Sequence, residues 1–205
     1  MSAPRGALVI ACGALARELA ALRRLNGAGA IDVHCLPAEL HNRPEKIPEA
    51  VRAAICARRH RYQSLFVAYG DCGTGGRLDK VLREEGVERI AGAHCYEFFA
   101  SPAVFAALCE AEPGTFYLTD FLLRHFDRLV TRGLGLDRHP QLASTYFGNY
   151  RRLVYLSQAS LTAANLQRAA DIASGMGLRF EHRASGYGAL GEHWNALART
   201  AHRAA

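Results

Sequence analysis

No run of residues in this chain approaches the roughly 18 to 20 consecutive apolar positions of a membrane span. The opening Met1-Ser-Ala-Pro-Arg-Gly6 leads straight into an apolar run, so no secretory leader is expected. Also missing are the compact Cys-x-x-Cys pairs of zinc ribbons and ferredoxins, the Gly-Lys-Ser/Thr of a P-loop, the full dinucleotide glycine fingerprint and a nucleophile elbow. Lysine is scarce. The net charge of +6 rests on arginines scattered through predicted helices, with no aromatic-interleaved basic stripe, so nucleic acid is not an expected partner. With 205 residues, 50% hydrophobic and 21% charged, the chain has enough core to fold without disulfides. It shows no linker and is read as one compact domain, residues 1–205. A cytoplasmic, reducing setting follows, in which thiol, thiolate or metal ligand is the expected state of cysteine.

What the sequence does have is a thiol pattern that occurs twice. Cys12-Gly13 is followed by His34-Cys35, and Cys72-Gly73 by His94-Cys95, each pair of cysteines 23 positions apart. Each first cysteine follows a short apolar run, 7–11 or 65–68, bounded by glycine, which predicts a buried strand. Leucines 15, 19, 22 and 25 have helical spacing over 14–25, with Asn26-Gly27 as a stop. A strand is expected at 31–36, a polar loop at 37–46 and a helix from Pro48 to about Arg59. The plan repeats as strand 64–69, glycine-rich turn 70–76, helix 77–85 and strand 88–91.

From 98 to 150 the pattern becomes helical, with helices at 102–110 and 120–131 and a short apolar segment at 115–118. A third unit follows: strand 153–156, helix 161–175, strand 178–182. A closing helix is expected at 190–203. The fold class is therefore α/β: a Rossmann-like parallel sheet flanked by helices, built from up to three strand–helix–strand repeats near 7–36, 64–95 and 152–183. Strand C-termini at one edge would gather Cys12, Cys72 and Gln158 into one cleft, with Cys95 after the neighbouring strand.

Tyr69-Gly-Asp-Cys-Gly-Thr-Gly-Gly76 is the strongest local signal. Gly70, Gly73, Thr74, Gly75 and Gly76 let backbone amides approach an anion, a thiolate or a cluster sulfide, and the same field would favour the Cys72 thiolate. The competing reading is a tight turn with a buried cysteine. Cys12, Cys72 and Cys95 are the candidate metal ligands. Three thiolates suit either zinc with an open fourth position or a 4Fe-4S cluster with one open iron. Asp71, His94 and Glu97 are the candidate catalytic groups, Asp71 having a helix cap as its alternative role. Cys35 is a further candidate ligand. Cys56 and Cys109, beside alanine and leucine, read as core. His41-Asn42-Arg43 could bind an acidic group, although a solvated loop is the plainer expectation. Tyr146-Phe-Gly-Asn-Tyr150 suits packing better than a lid. Ser157 and His182 could belong to a triad, a reading discounted for want of an elbow.

Ala11-Cys-Gly13, Leu36-Pro-Ala-Glu-Leu-His-Asn42, Tyr69–Gly76, His94-Cys-Tyr-Glu-Phe-Phe99, Gly114-Thr-Phe-Tyr-Leu-Thr-Asp-Phe-Leu122, Gly135-Leu-Asp-Arg-His-Pro140 and Tyr146–Tyr150 together resemble the domain of unknown function 1638 family. The resemblance implies association with corrinoid-dependent methyltransferase systems and one-carbon metabolism. The expected function is a metal- or iron–sulfur-binding protein of corrinoid- or folate-dependent methyl transfer. The alternative is a non-catalytic accessory or metal-delivery protein that docks on a corrinoid protein or methyltransferase subunit.

Overall fold

A computed structural model describes residues 4–25, 31–158 and 161–203. In chain order the elements are β1 (Arg5–Cys12), α1 (Ala16–Leu25), β2 (Ile31–Leu36), α2 (Ile47–Arg58), β3 (Tyr62–Ala68), α3 (Arg77–Glu85), β4 (Glu88–Arg89), α4 (Pro102–Ala111), β5 (Thr115–Thr119), α5 (Asp120–Phe126), α6 (Leu142–Phe147), β6 (Arg152–Ser157), α7 (Ala163–Gly175), β7 (Arg179–Ala184) and α8 (Gly188–Arg203). They form two compact units, Met1–Phe98 with Gly188–Ala205, and Phe99–Tyr187. Each unit has its own parallel sheet, in the orders β2-β1-β3-β4 and β5-β6-β7. The α/β class holds, but the third repeat does not extend the first sheet. The segment expected as a short apolar stretch is a full strand, β5, and it pairs with β6 from Thr115↔Arg152 to Thr119↔Leu156.

In the first unit β1 is the inner strand. Residues 7 to 12 are all buried, as expected of a parallel strand covered on both faces. Leu15, Leu19 and Leu22 form the buried stripe at the start of the first helical segment. Leu25, expected on the same face, is 73% exposed at the last position of α1. The predicted Asn26-Gly27 stop lies outside the described residues. Ile47, Val51, Ala54 and Ile55 bury one side of α2, whose first turn accepts Pro48. α8 touches β1 and β2 and buries Leu190 and Trp194. β1 pairs with β2 on one side (Ala11↔Cys35) and with β3 on the other (Ala11↔Ala68). The chain goes from β1 to β2, then crosses to β3 beyond β1. The C-terminal ends of β1 and β3 therefore flank a switch point, where open α/β sheets place their sites.

In the second unit Leu118, Leu153, Tyr155, Ala169 and Ala173 form the core, with Phe116, Phe126 and Tyr150 packed against it. Phe147 and Tyr150 meet the Phe116 ring edge-on at 5.8 and 5.6 Å, so the aromatic segment packs, as expected. The helix expected over 120–131 is broken at His125 and continues as a π turn over Asp127–Thr131. Among the described residues, no helix is long and apolar enough to cross a membrane.

Candidate metal centre

Cys12 is the last residue of β1, and its Sγ accepts the Ala14 N–H at 3.3 Å as the chain turns into a short 3-10 helix. Gly13 permits that turn, since a Cβ there would lie 2.8 Å from the Leu36 carbonyl oxygen. Beyond β2, a 3-10 turn over Ala38–Asn42 carries His41 back over the edge of the sheet, where its Nδ1 lies 3.6 Å from Cys12 Sγ. Cys12 Sγ, Cys95 Sγ and a ring nitrogen of His41 all lie within 4.8 Å of one another. Cys72 Sγ is 3.3 Å from Cys95 Sγ. Cys95 thus lies beside both other thiols, while Cys72 stands outside the set of donors that are all within 4.8 Å of one another. His41, a residue expected in a solvated loop, joins Cys12 and Cys95 in that set.

The segments that carry Cys72 and Cys95 are tied to each other by backbone. Asp71 and Cys72 donate their N–H groups to Gly92 and Ala93 carbonyls at 3.0 and 2.7 Å. Gly70 passes so close to His94 that a Cβ would sit 2.7 to 2.9 Å from its backbone atoms, and the Gly70 N–H reaches Cys95 Sγ at 3.4 Å. Arg89 donates to the carbonyls of Tyr69, Ile90 and Gly92 and is held by both carboxylate oxygens of Asp79. Cys72 has φ +49°, the one non-glycine residue in the left-handed region among those described. Such a conformation persists only where surrounding contacts enforce it, and it occurs often at functional sites.

The glycine loop works differently from expectation. The amides of Gly75 and Gly76 donate to the Asp71 carboxylate, as does the Thr74 hydroxyl, at 2.6 to 3.0 Å. Asp71 is thus the brace of the loop, and the amides that reach sulfur are those of Ala14 and Gly70. The Cβ of an alanine at Gly73 would contact Pro44 at 3.5 Å, so this glycine faces the His41 loop. Glu97 accepts the Ala93 N–H at 2.8 Å and serves the same turn. His94 stacks on Tyr96 at 4.8 Å and hydrogen-bonds toward Cys72.

Charge within the cluster is divided unequally. Hydrogen bonds from Cys95 pull the Cys72 and Cys12 thiols far below the ordinary range; burial opposes this, and His41 adds to it. Cys95 is pushed well above that range, because its proton bonds both neighbours and it is fully enclosed. Loss of water around the His41 ring disfavours its charged form, yet the Cys12 and Cys72 thiolates outweigh this and raise the imidazole to about 11. Tyr69, immediately after β3, is wholly buried, and its hydroxyl has no close hydrogen-bond partner. Burial raises its pKa first, then the charges of Cys12 and Cys95 and a long hydrogen bond toward the Cys12 sulfur.

A family model described as "Protein of unknown function (DUF1638)" matches residues 35–193. The chain belongs to that family. The part matched includes His41, Cys72 and Cys95 and begins after Cys12. No curated protein and no solved structure matches this DUF1638 chain.

The remaining candidates fall outside the cluster. Cys35 pairs with Ala11 in the sheet, and burial, then the charge on Cys12, raises its thiol. Cys56, expected in the core, is exposed on α2, because it shares the side of Arg52, whose guanidinium pairs with Glu84 and Glu85, and not the buried side of Val51, Ala54 and Ile55. Cys109 is half-buried against the Tyr117 hydroxyl. Gln158 follows β6 in the second unit, where its Oε1 accepts the Asp120 N–H and its backbone N–H donates to the Asp120 carboxylate. Ser157 Oγ lies 3.0 Å from His182 Nε2, but no carboxylate bonds His182 among the described residues.

Proposed function

We propose that Cys12, Cys72, Cys95 and His41 hold one zinc ion in a cytoplasmic protein, and that this centre serves sulfur-based methyl transfer in corrinoid- or folate-dependent one-carbon metabolism. The observation that carries the metal is the approach of the Cys12, His41 and Cys95 donors within 4.8 Å. A tetrahedral ion with metal–sulfur bonds of about 2.3 Å separates its ligand atoms by about 3.8 Å. The 3.3 Å between Cys72 and Cys95 is shorter than that value, and Cys72, outside the mutually close group, has to move toward the other donors as the ion binds. In a 4Fe-4S cluster each cysteine binds a different iron, which spreads the sulfurs more widely, so this spacing favours the single ion. The proton that Cys95 keeps between two thiolates is what a dication would displace. Six free cysteines accord with a reducing compartment.

Methyl transfer rests on the family resemblance and on ligand chemistry. Three thiolates suit a soft, electron-rich centre better than one that ionises water. A corrinoid protein or methyltransferase subunit would present the methyl group. Protein purified without oxygen should carry stoichiometric zinc and no acid-labile sulfide. Iron with sulfide would replace zinc by the cluster, and the lack of both would remove the metal reading. Turnover of a methylcorrinoid with a thiol would support the enzyme; a tight complex without turnover would make the protein an accessory or metal-delivery factor.

A further inference from the structure

The four donors of this centre are held unequally. Cys12, Cys72 and Cys95 are 0 to 7% exposed. Cys12 and Cys95 each accept a backbone N–H, while Cys72 is fixed by its own N–H on Ala93. His41 rides on a five-residue 3-10 turn whose caps make no side-chain hydrogen bond; the residue as a whole is exposed, while its ring is shielded from water against the sulfurs. A histidine that binds metal permanently almost always anchors its second ring nitrogen on a carboxylate or carbonyl. His41 has no such bond among the described residues; its ring bonds only toward the Cys12 and Cys72 sulfurs. Beside the same sulfurs sits the hydroxyl of Tyr69, enclosed and turned toward Cys12 without a close hydrogen bond. A buried hydroxyl held only by a long contact to sulfur gains from a better-placed acceptor.

We propose, building on the zinc reading, that His41 is a displaceable ligand and that a small-molecule thiol takes its place, with the Tyr69 hydroxyl donating a hydrogen bond to the incoming sulfur. In that exchange the metal–nitrogen bond to His41 breaks and a metal–sulfur bond forms. The thiol's proton goes to the released imidazole, and no electron is transferred. The donor set selects the ligand class, since a soft centre with three thiolates prefers a fourth sulfur to an oxygen donor. The imidazolium left beside the sulfurs offsets the added negative charge. Tyr69 here is a positioning residue, and its hydroxyl gives the site a preference for a ligand atom with a free lone pair.

The test uses the full chain loaded with cobalt(II) in place of zinc and titrated with 2-mercaptoethanol. Sulfur-to-cobalt charge-transfer absorbance should rise to saturation while the cobalt remains bound. His41→Ala should show the same rise at a midpoint at least about tenfold lower, because a tethered ligand competes at an effective concentration in the millimolar range or above. Tyr69→Phe should keep its cobalt but need about fivefold more thiol, the loss of one hydrogen bond. A spectrum that does not respond in the parent or in His41→Ala, with cobalt fully bound, would overturn the proposal. So would removal of the metal by thiol, seen as loss of the cobalt bands. Failure to load cobalt or zinc at all would instead sink the metal reading, and this exchange with it.

Discussion

Gly70→Ala is the sharpest test of how the centre is assembled. The added methyl would lie 2.7, 2.8 and 2.9 Å from the carbonyl carbon, Cα and N of His94. All three are backbone atoms, so no side chain can rotate away, and one of the two segments must shift. Overpacking of this kind costs about 1–3 kcal/mol. The strain falls between Cys72, two residues onward, and Cys95, the neighbour of His94. It also presses on the Gly70 N–H that reaches Cys95 Sγ. Zinc affinity should fall about 10–100-fold, the usual cost of disturbing the groups that orient metal ligands, equivalent to about 1.4–2.7 kcal/mol. Gly75→Ala is the control. Gly75 has φ +61°, and a Cβ there would meet nothing within 4 Å, so alanine costs about 1–2 kcal/mol in backbone strain and moves no sulfur. Chelator competition reports the affinity, and urea unfolding of the metal-free proteins reports the stability. The expected result is two destabilised proteins of which only Gly70→Ala binds zinc weakly. Equal affinities in the two variants would refute this mode of assembly.

Alanine at Cys12, Cys72 or Cys95 should abolish stoichiometric zinc. Cys56→Ala should leave zinc intact and change stability by less than about 0.5 kcal/mol, since its thiol is exposed and 3.9 Å from Glu85. Elemental analysis beside a denaturation curve decides both. The metal-free protein should be most stable near pH 9. Cys12 and Cys72, depressed to about 5 and about 3 from 9.0, contribute stability that is lost as pH falls through those values. His41, raised to about 11 from 6.5, contributes stability that is full below 6.5 and lost as pH rises to about 11. Between 6.5 and 9.0 the two thiols outweigh the one imidazole, and above 9.0 losses remain from His41, Cys95, Cys35 and Tyr69, all raised in the folded protein. A urea midpoint that falls steadily from pH 6.5 to 9 would contradict this division of charge. In the second unit, Tyr155→Phe removes the hydroxyl that donates to Asp120 at 2.7 Å, leaving a buried carboxylate with one partner fewer. A loss of about 1–3 kcal/mol is expected by urea unfolding; an unchanged midpoint would show that the carboxylate does not need the tyrosine.

Much of the first unit was legible because its signals are local. The apolar runs at 7–11 and 65–68 became β1 and β3, and a cysteine directly after such a strand has few places to go in a parallel sheet. That placed Cys12 and Cys72 near one another. Cys95 follows a β4 only two residues long, and its position depends on Arg89 and on the Gly92 and Ala93 carbonyls, contacts with no periodicity to read. The helical segment at 98–150 concealed β5, five residues whose two threonines and two aromatics suit a strand but whose pairing partner lies 37 positions on. Once β5 exists, β6 has a neighbour of its own, and Gln158 bonds Asp120 instead of joining the thiols.

His41 shows where sequence reasoning reaches its limit. It lies 29 residues from Cys12 in a polar loop, and nothing in its neighbours marks it as a ligand. Its placement comes from three conditions that act together. β2 ends in register with β1 at Leu36↔Cys12, so the loop must start level with the sulfur. Pro37 and Pro44 bracket a stretch that winds into tight 3-10 turns, which keeps the loop short enough to fold back over the sheet edge. Gly73 then leaves room for Pro44, so the loop settles against the turn that carries Cys72. Each condition is weak alone, and all three are tertiary. A ligand held only by such conditions is fixed less firmly than one placed by a strand end, which is the same asymmetry that makes His41 the donor able to leave.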